Sequence, residues 1–494
     1  LEKIKDQATS DEMCVLNNDV AKLISSSNVS DVKWSEVERS RASFDRNENQ
    51  HVYEQVVTTI SQETAQQEEG TQHDRKVEVV FSYDAPQRKK DVQEFVKYFN
   101  VRYKALERIL SQRQELSNLL PVTRIRQKKE RETVSLIGLI SEIQYTKNGN
   151  LMLTVEDPTG SIKVLVNQNK PEVFEDAQQL VMDEIIGING VSDGSIVFLN
   201  TFVWPEVPNT KELKKSPDES YAIFISDVHV GSKEFLEEDL KRFISWLNGE
   251  MGNEEQKRIA SKVRYLFVAG DLIDGVGIYP GQENDLAITD MYKQYERCAE
   301  LFAQIPDHVT IIISPGNHDA MRLSEPQPPL YTDYAQALWD LPNVVMVSNP
   351  AIVNIHKDDD FSGFDVLIYH GYCFDYYANN VEYLRSNKAY DNSEIMMRFL
   401  LQRRHLAPTH TSTLYIPNPE YDPLVISTIP DFFVTGHIHK CSVGSYRNVT
   451  MICGSCWQSQ TDFQEKVGLV PEPSKVALVN LQTRNVKIMK FGES

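Results

Sequence analysis

The sequence predicts a layered α/β protein, with a small β-barrel and a polar N-terminal region ahead of it. Three observations carry that expectation. From Tyr221 onward, apolar runs of strand length alternate with helical stretches. Between Thr133 and Trp204 the runs shorten and are punctuated by turn signals, Asn148-Gly149-Asn150 and Asp157-Pro158-Thr159-Gly160. In the C-terminal half, five apolar runs each close on a short polar motif, and α/β sheets carry their sites at the carboxyl ends of strands.

Residues 1–75 are polar and acidic with few aromatics. They bury too little to offset chain entropy and read as a linker or disordered segment. In the next stretch, 76–130, residues 76–83 (KVEVVFSY) are a short strand candidate. Residues 91–120 predict one helix, because Phe95, Phe99, Tyr103, Leu106 and Leu110 recur at three- and four-residue steps, and Pro121 ends it. A basic run follows, Arg124, Arg126, Lys128, Lys129 and Arg131. It reads first as a solvated connector and second as a contact for a phosphate backbone.

Residues 131–205 hold five strand candidates, at 134–143, 151–155, 162–166, 185–191 and 195–203. Five short strands so close together suggest a closed barrel, and their order of lengths fits an OB-fold, which commonly grips single-stranded nucleic acid or a partner protein. Its stacking surface is thin, with Tyr145 the clearest aromatic. Residues 206–220 are a linker by composition. Residues 221–494 form the layered α/β domain, with helices clearest at 234–247 and 290–302.

Composition bounds the function. A chain of 494 residues that is 41% apolar can build two or three ordinary domains. No apolar run reaches the roughly 18 residues of a membrane span, so no membrane association is expected. The first residues, Leu1-Glu2-Lys3-Ile4-Lys5-Asp6, lack the apolar core of a signal peptide and an initiating Met, so a trimmed chain is expected. Six cysteines are sparse and imply a reducing, cytoplasmic setting. Cys453 and Cys456 have C-x-x-C spacing, but no second pair completes a zinc site, and they read as small buried thiols. The formal net charge of −20 opposes a broad nucleic-acid surface, so any such binding needs a local basic patch or a partner.

The five motifs are Asp227-Val228-His229, Gly270-Asp271-Leu272-Ile273-Asp274, Gly316-Asn317-His318-Asp319, His370-Gly371 and Gly436-His437-Ile438-His439. They offer two carboxylates, one carboxamide and four imidazoles as ligands, from Asp227, His229, Asp271, Asn317, His370, His437 and His439. That is the donor set of a two-metal hydrolase. In an extended segment Asp227 and His229 point the same way and can address one cation. Asp271, with two oxygens, can bridge two. The mixed nitrogen and oxygen donors suit two divalent ions of the Mn, Fe, Co or Zn type better than Ca, and Mn is the expected element. His318, next to Asn317, is expected to face substrate as a general acid toward the leaving alkoxide. Asp319 is a candidate to orient His318 or to cap the following segment.

In order and spacing, this set resembles the calcineurin-like metallophosphoesterase superfamily over residues 221–492. The order of long helix, barrel and phosphoesterase narrows the resemblance to the small subunits of archaeal family D DNA polymerases. So do Phe95-Val96-Lys97-Tyr98-Phe99-Asn100-Val101-Arg102-Tyr103, Arg403-Arg404-His405-Leu406-Ala407-Pro408 and Pro430-Asp431. The resemblance implies a four-layer metallophosphoesterase β-sandwich flanked by helices, and 3′→5′ exonuclease activity on DNA 3′ ends. It also implies a large catalytic polymerase subunit as partner, and contact with the sliding clamp through the holoenzyme. It carries the ligand roles onto the seven residues above and the acid role onto His318. Double-strand-break repair nucleases of this type have His where Asp274 stands, so Asp274 is a supporting group rather than a cationic phosphate contact. Two alternatives stay open: a catalytically silent scaffold subunit, like the eukaryotic polymerase B subunits with eroded ligands, and another phosphodiesterase or phosphatase.

Overall fold

The barrel is built by the alternation that its strands carry. The strands are β2 (Glu132–Tyr145), β3 (Leu151–Asp157), β4 (Gly160–Val166), β5 (Ile185–Ser192) and β6 (Ile196–Val203). They follow a strand β1 (Val77–Ser82). On β3 and β4, Leu151, Leu153 and Val155 face inward with Ile162, Val164 and Val166, the two-residue period of a half-buried sheet. Asp157 makes the predicted turn between them, its Oδ1 accepting the Thr159 and Gly160 N–H groups at 2.8 and 3.0 Å. The strands close in the order β2-β3-β4-β6-β5. An unpredicted helix, Pro171–Ala177, starts on its proline and lies between β4 and β5.

The computed structural model of the chain describes residues 77–84 and 89–492, so the polar segment expected over 1–75 lies outside the described residues. The helix expected over 91–120 runs only from Val92 to Leu110, capped at Asp91 by a reciprocal bond with Glu94. Pro121 does not end it; it opens a second short helix, Val122–Arg126. The predicted apolar stripe is also rotated. Phe95 is exposed and Phe99 half-buried, while Tyr98, Arg102, Tyr103, Leu106 and Leu110 are buried. The cause is Asp422, a buried carboxylate far along the chain. It accepts from Tyr98 Oη at 2.7 Å and Arg102 Nε at 2.7 Å, and His405 Nε2 lies 2.9 Å from it. A buried charge needs its partners, and this one turns the helix toward itself.

The C-terminal region holds two six-stranded sheets. One contains β7 (Tyr221–Ile225), β8 (Val263–Ala269), β9 (Thr310–Ser314), β10 (Val344–Met346), β16 (Lys475–Asn480) and β17 (Val486–Lys490), in the order β10-β9-β8-β7-β16-β17. The other joins β1 to β11 (Ala351–Ile355), β12 (Phe364–Ile368), β13 (Phe432–Thr435), β14 (Ser442–Tyr446) and β15 (Val449–Cys453), in the order β1-β11-β12-β13-β15-β14. One face of each sheet meets in a shared core of Phe224, Phe267, Ile312, Val366, Phe432 and Ile452. Helices cover the outer faces, including the predicted Glu237–Leu247 and Met291–Phe302 on the first sheet and Phe374–Asn380 and Ser393–Arg403 on the second. β1 pairs antiparallel with β11, so the segment before the barrel returns to the second sheet.

The stretch read as a linker, 206–220, is packed: Val207 is fully buried among the residues of the second outer core, and Lys211 Nζ lies 2.5 Å from Asp431 Oδ1. The barrel also touches the sheets through buried charge, with Arg403 Nε 2.8 Å from Glu184 Oε2. The Arg403-to-Pro408 and Pro430-Asp431 motifs thus act as joints. β7, β8 and β9 run parallel in one sheet, β12 and β13 in the other. Their carboxyl ends carry the five predicted motifs. Among the described residues no helix is long and apolar enough to cross a membrane.

Candidate metal centre

Leaving β7, the chain does not stay extended. Asp227 and His229 have φ of 52° and 53°, Asp271 after β8 has 53°, and His437 and His439 after β13 have 70° and 59°. Five candidate ligands thus occupy the left-handed region that non-glycine residues avoid, a concentration of backbone strain of the kind found at functional sites. Asp227 and His229 therefore do not share a face as residues i and i+2 of an extended strand. Asp227 and His229 converge because the backbone curls, held by Asp227 N–H to Gly270 O at 2.9 Å and His229 N–H to Asp271 O at 3.1 Å. Glycine permits the close approach. A Cβ on Gly316 would sit 2.1 Å from Asp271 Oδ1, and one on Gly270, itself at φ +84°, would sit 2.5 Å from His370 Nδ1.

All seven predicted ligands come together. Asp227, His229 and His439 form one group, Asp271, His370 and His437 a second, and His229, Asp271 and His318 a third that joins the two, with the donor atoms of each group within 4.8 Å of one another. His229 Nε2 faces His439 Nε2 at 3.0 Å, and His439 Nε2 lies 3.4 Å from Asp227 Oδ1. In the second group His370 Nε2 is 3.2 Å from Asp271 Oδ2 and 2.9 Å from Asn317 Oδ1. Asp271 Oδ2 also lies 3.9 Å from His229 Nε2, so one carboxylate addresses both groups. These spacings fit the donor set to divalent cations. Ligands bound at about 2.0–2.2 Å from one ion stand roughly 3–3.5 Å apart.

The electrostatics agree. Burial pushes the Asp271 carboxyl up, but His370, His318 and His229 around it hold it well below the usual carboxylate range. Burial pushes His370 down, yet Asp271 and Asp227 carry it up to about 10. His439 is likewise raised well above an ordinary imidazole, with Cys456 and Asp227 overcoming its burial. The two carboxylates draw positive charge onto the facing rings, and a cation that displaces those protons supplies the same charge.

His318 sits at the edge of this cluster, half-buried, its ring 4.7 Å from that of His229. Its Nδ1 donates to the Asp274 carbonyl at 2.9 Å, which leaves Nε2 for another partner. Burial pushes its pKa down. The Asp319 carboxylate meets neither His318 nor a backbone N–H of the segment that follows it. Its Oδ2 accepts the Gly316 N–H at 2.8 Å and its Oδ1 accepts from Tyr295 Oη at 3.2 Å, so it braces the loop carrying Asn317. Burial and Asp271 raise its pKa to about 6. Asp274 lies 3.1 Å from His229 Nδ1 and accepts from Gln282 and Gln458, each at 3.0 Å.

Several partners were not read from the sequence. His370 Nδ1 lies 2.8 Å from the Ala269 carbonyl, His439 Nδ1 meets the Gln464 amide at 3.0 Å, and His437 Nε2 lies 3.1 Å from Asp375 Oδ2. Gln464 had a sequence signal: it is the last residue of a Thr461-x-x-Gln capping box. In the basic run, Val122 and Ile125 anchor the short helix in the barrel core. Arg124, Arg126, Lys129 and Arg131 are exposed and Lys128 pairs with Glu132.

Set beside known proteins, residues 222–443 match the family of DNA polymerase alpha/epsilon B subunits. The "DNA polymerase II small subunit" of Methanothermobacter thermautotrophicus is 39% identical over 402 residues, 81% of this chain and 80% of that one. The Archaeoglobus fulgidus protein of the same name is 40% identical over 82% of this chain and 78% of its own. That of Pyrococcus furiosus is 39% identical over 81% of this chain and 64% of its own. The chain belongs to the family of archaeal DNA polymerase II small subunits. Among solved structures, a "novel archaeal phosphodiesterase" aligns at 12% identity and a TM-score of 0.27, over 55% of this chain and 98% of that one.

Proposed function

We propose that this small subunit is a dinuclear-metal 3′→5′ exodeoxyribonuclease that trims DNA 3′ ends and scaffolds the large catalytic subunit of its polymerase. The observation that carries the reading is Asp271, a single carboxylate whose Oδ2 faces His229 on one side and His370 on the other. Asp227, His229, Asp271 and His439 would hold one ion; Asp271, Asn317, His370 and His437 would hold the second. The expected element is Mn, with Fe, Co or Zn compatible with the same donors. Bound there, the two ions lower the pKa of water and neutralise phosphoryl charge. The two helix-covered sheets are taken as the four-layer metallophosphoesterase sandwich, and the five-stranded barrel as an OB-fold at 131–205.

The protein's own share of the chemistry rests on His318. With Nδ1 committed to the Asp274 carbonyl, the proton for the leaving 3′-oxygen comes from Nε2. Burial disfavours the imidazolium in the free chain; an approaching phosphodiester, being anionic, favours it. Asp274 and Asp319 are positioning groups. Arg124, Arg126, Lys129 and Arg131 offer a small exposed cationic strip for a phosphate backbone on a chain of net charge −20. Most of the positive surface, and contact with the sliding clamp, then come through the large subunit.

The test is removal of mismatched or single-stranded 3′ ends by the complex with the large subunit in Mn²⁺, beside an Asp271→Ala complex. Loss of 3′-end removal in the variant supports the reading. No such activity in the native complex with any divalent metal contradicts it.

A further inference from the structure

Three of the four candidate ligand imidazoles face an oxygen acceptor at their second nitrogen. Two of them, His229 and His370, meet Asp274 and the Ala269 carbonyl at 3.1 and 2.8 Å, while His439 Nδ1 faces the Gln464 amide nitrogen at 3.0 Å. All three rings are buried. His437 is the exception in its setting. Its ring is half-buried, 5.8 Å from the Tyr372 ring, and its Nε2 faces Asp375 Oδ2 at 3.1 Å. The Asp375 side chain is 52% exposed. It projects from the first turn of the Phe374–Asn380 helix, and Tyr390 Oη donates to its other oxygen. A histidine that binds metal through one nitrogen gives its other N–H to a carboxylate, carbonyl or water, and that partner fixes the tautomer and the ring's aim.

We infer that Asp375, itself held by Tyr390, is the positioning residue that aims His437 Nδ1 into the site and sets how tightly the second cation is bound. With Nε2 engaged by the carboxylate, Nδ1 is the ring nitrogen left for the ion. Because this brace is exposed, the second ion is the weaker of the two, and the helix carrying Asp375 tunes its occupancy. The inference rests on the dinuclear reading above.

The experiment is calorimetric titration of the full chain with Mn²⁺, joined to electron paramagnetic resonance for the spin-coupled signal of a manganese pair. The native chain tests the dinuclear reading: two ions and a coupled signal support it, and one ion or none contradicts it. Asp375→Asn and Tyr390→Phe then test the brace, with thermal melts to confirm folding. For Asp375→Asn the expected result is one ion bound as before and the other weakened by about 10–100-fold, with the coupled signal lost at sub-saturating metal. Asp375→Glu is expected to restore part of it, and Tyr390→Phe to have a smaller effect of the same sign. A native chain binding two ions beside an Asp375→Asn chain that binds both with unchanged affinity would overturn the inference alone. So would a folded variant that loses both ions equally.

Discussion

The two halves of the candidate centre are built from the same residue types but braced differently. In one half, Asp227, His229 and His439 are buried, and the Asp274 carboxylate that faces His229 is itself buried and held by Gln282 and Gln458. In the other half, Asp271 and His370 are buried, but His437 depends on a carboxylate open to solvent. Rigid, dry ligands give up little freedom on binding an ion, whereas an exposed brace shares its hydrogen bonds with water. The contrast therefore predicts one tight and one labile cation, joined by Asp271.

Asp271→Ala is the harshest way to break that contrast, because it damages both halves at once. Both ions should be lost in metal titration, and 3′-end removal should fall by more than the roughly 10²–10⁴-fold that a single acid contributes. His318→Ala should cost about 10²–10⁴-fold in turnover while leaving both ions bound, which separates proton transfer from metal holding. Asp274→Ala sharpens the comparison from the other half. It should weaken the tight ion by about 10–100-fold, the mirror of the effect expected for Asp375→Asn, with ion affinity as the readout. Neutralising Arg124 and Arg126 should do least. DNA binding should weaken evenly across sequences, and the slope of log affinity against log salt should drop by about one for each phosphate that the protein no longer neutralises.

The same contrast separates what the sequence disclosed from what it hid. The seven candidate ligands and His318 were legible because strand-end motifs place them locally, each within a few residues of an apolar run. Their braces were not. Asp375 belongs to a helix start, Gln282 to a one-turn 3-10 helix and Gln458 to a loop, and nothing in local spacing tells which of these segments returns to the centre. The left-handed backbone at Asp227 and His229 was missed for a related reason: period-two logic assumes an extended chain, and these residues lie beyond the strand end. The barrel strands were readable from alternation. The buried face of the Val92–Leu110 helix was not, since its aim is set by Asp422, 320 residues from Arg102. Arg102→Met should accordingly destabilise the fold by about 3–5 kcal/mol in denaturant melts, without changing how many ions bind.

The most direct measurement is anomalous scattering at the manganese edge from crystals of the chain soaked in Mn²⁺. The account predicts two peaks about 3.5–4 Å apart flanking Asp271, the stronger beside Asp227, His229 and His439. An empty pocket under saturating manganese, or a single ion that ignores Asp271, would contradict it.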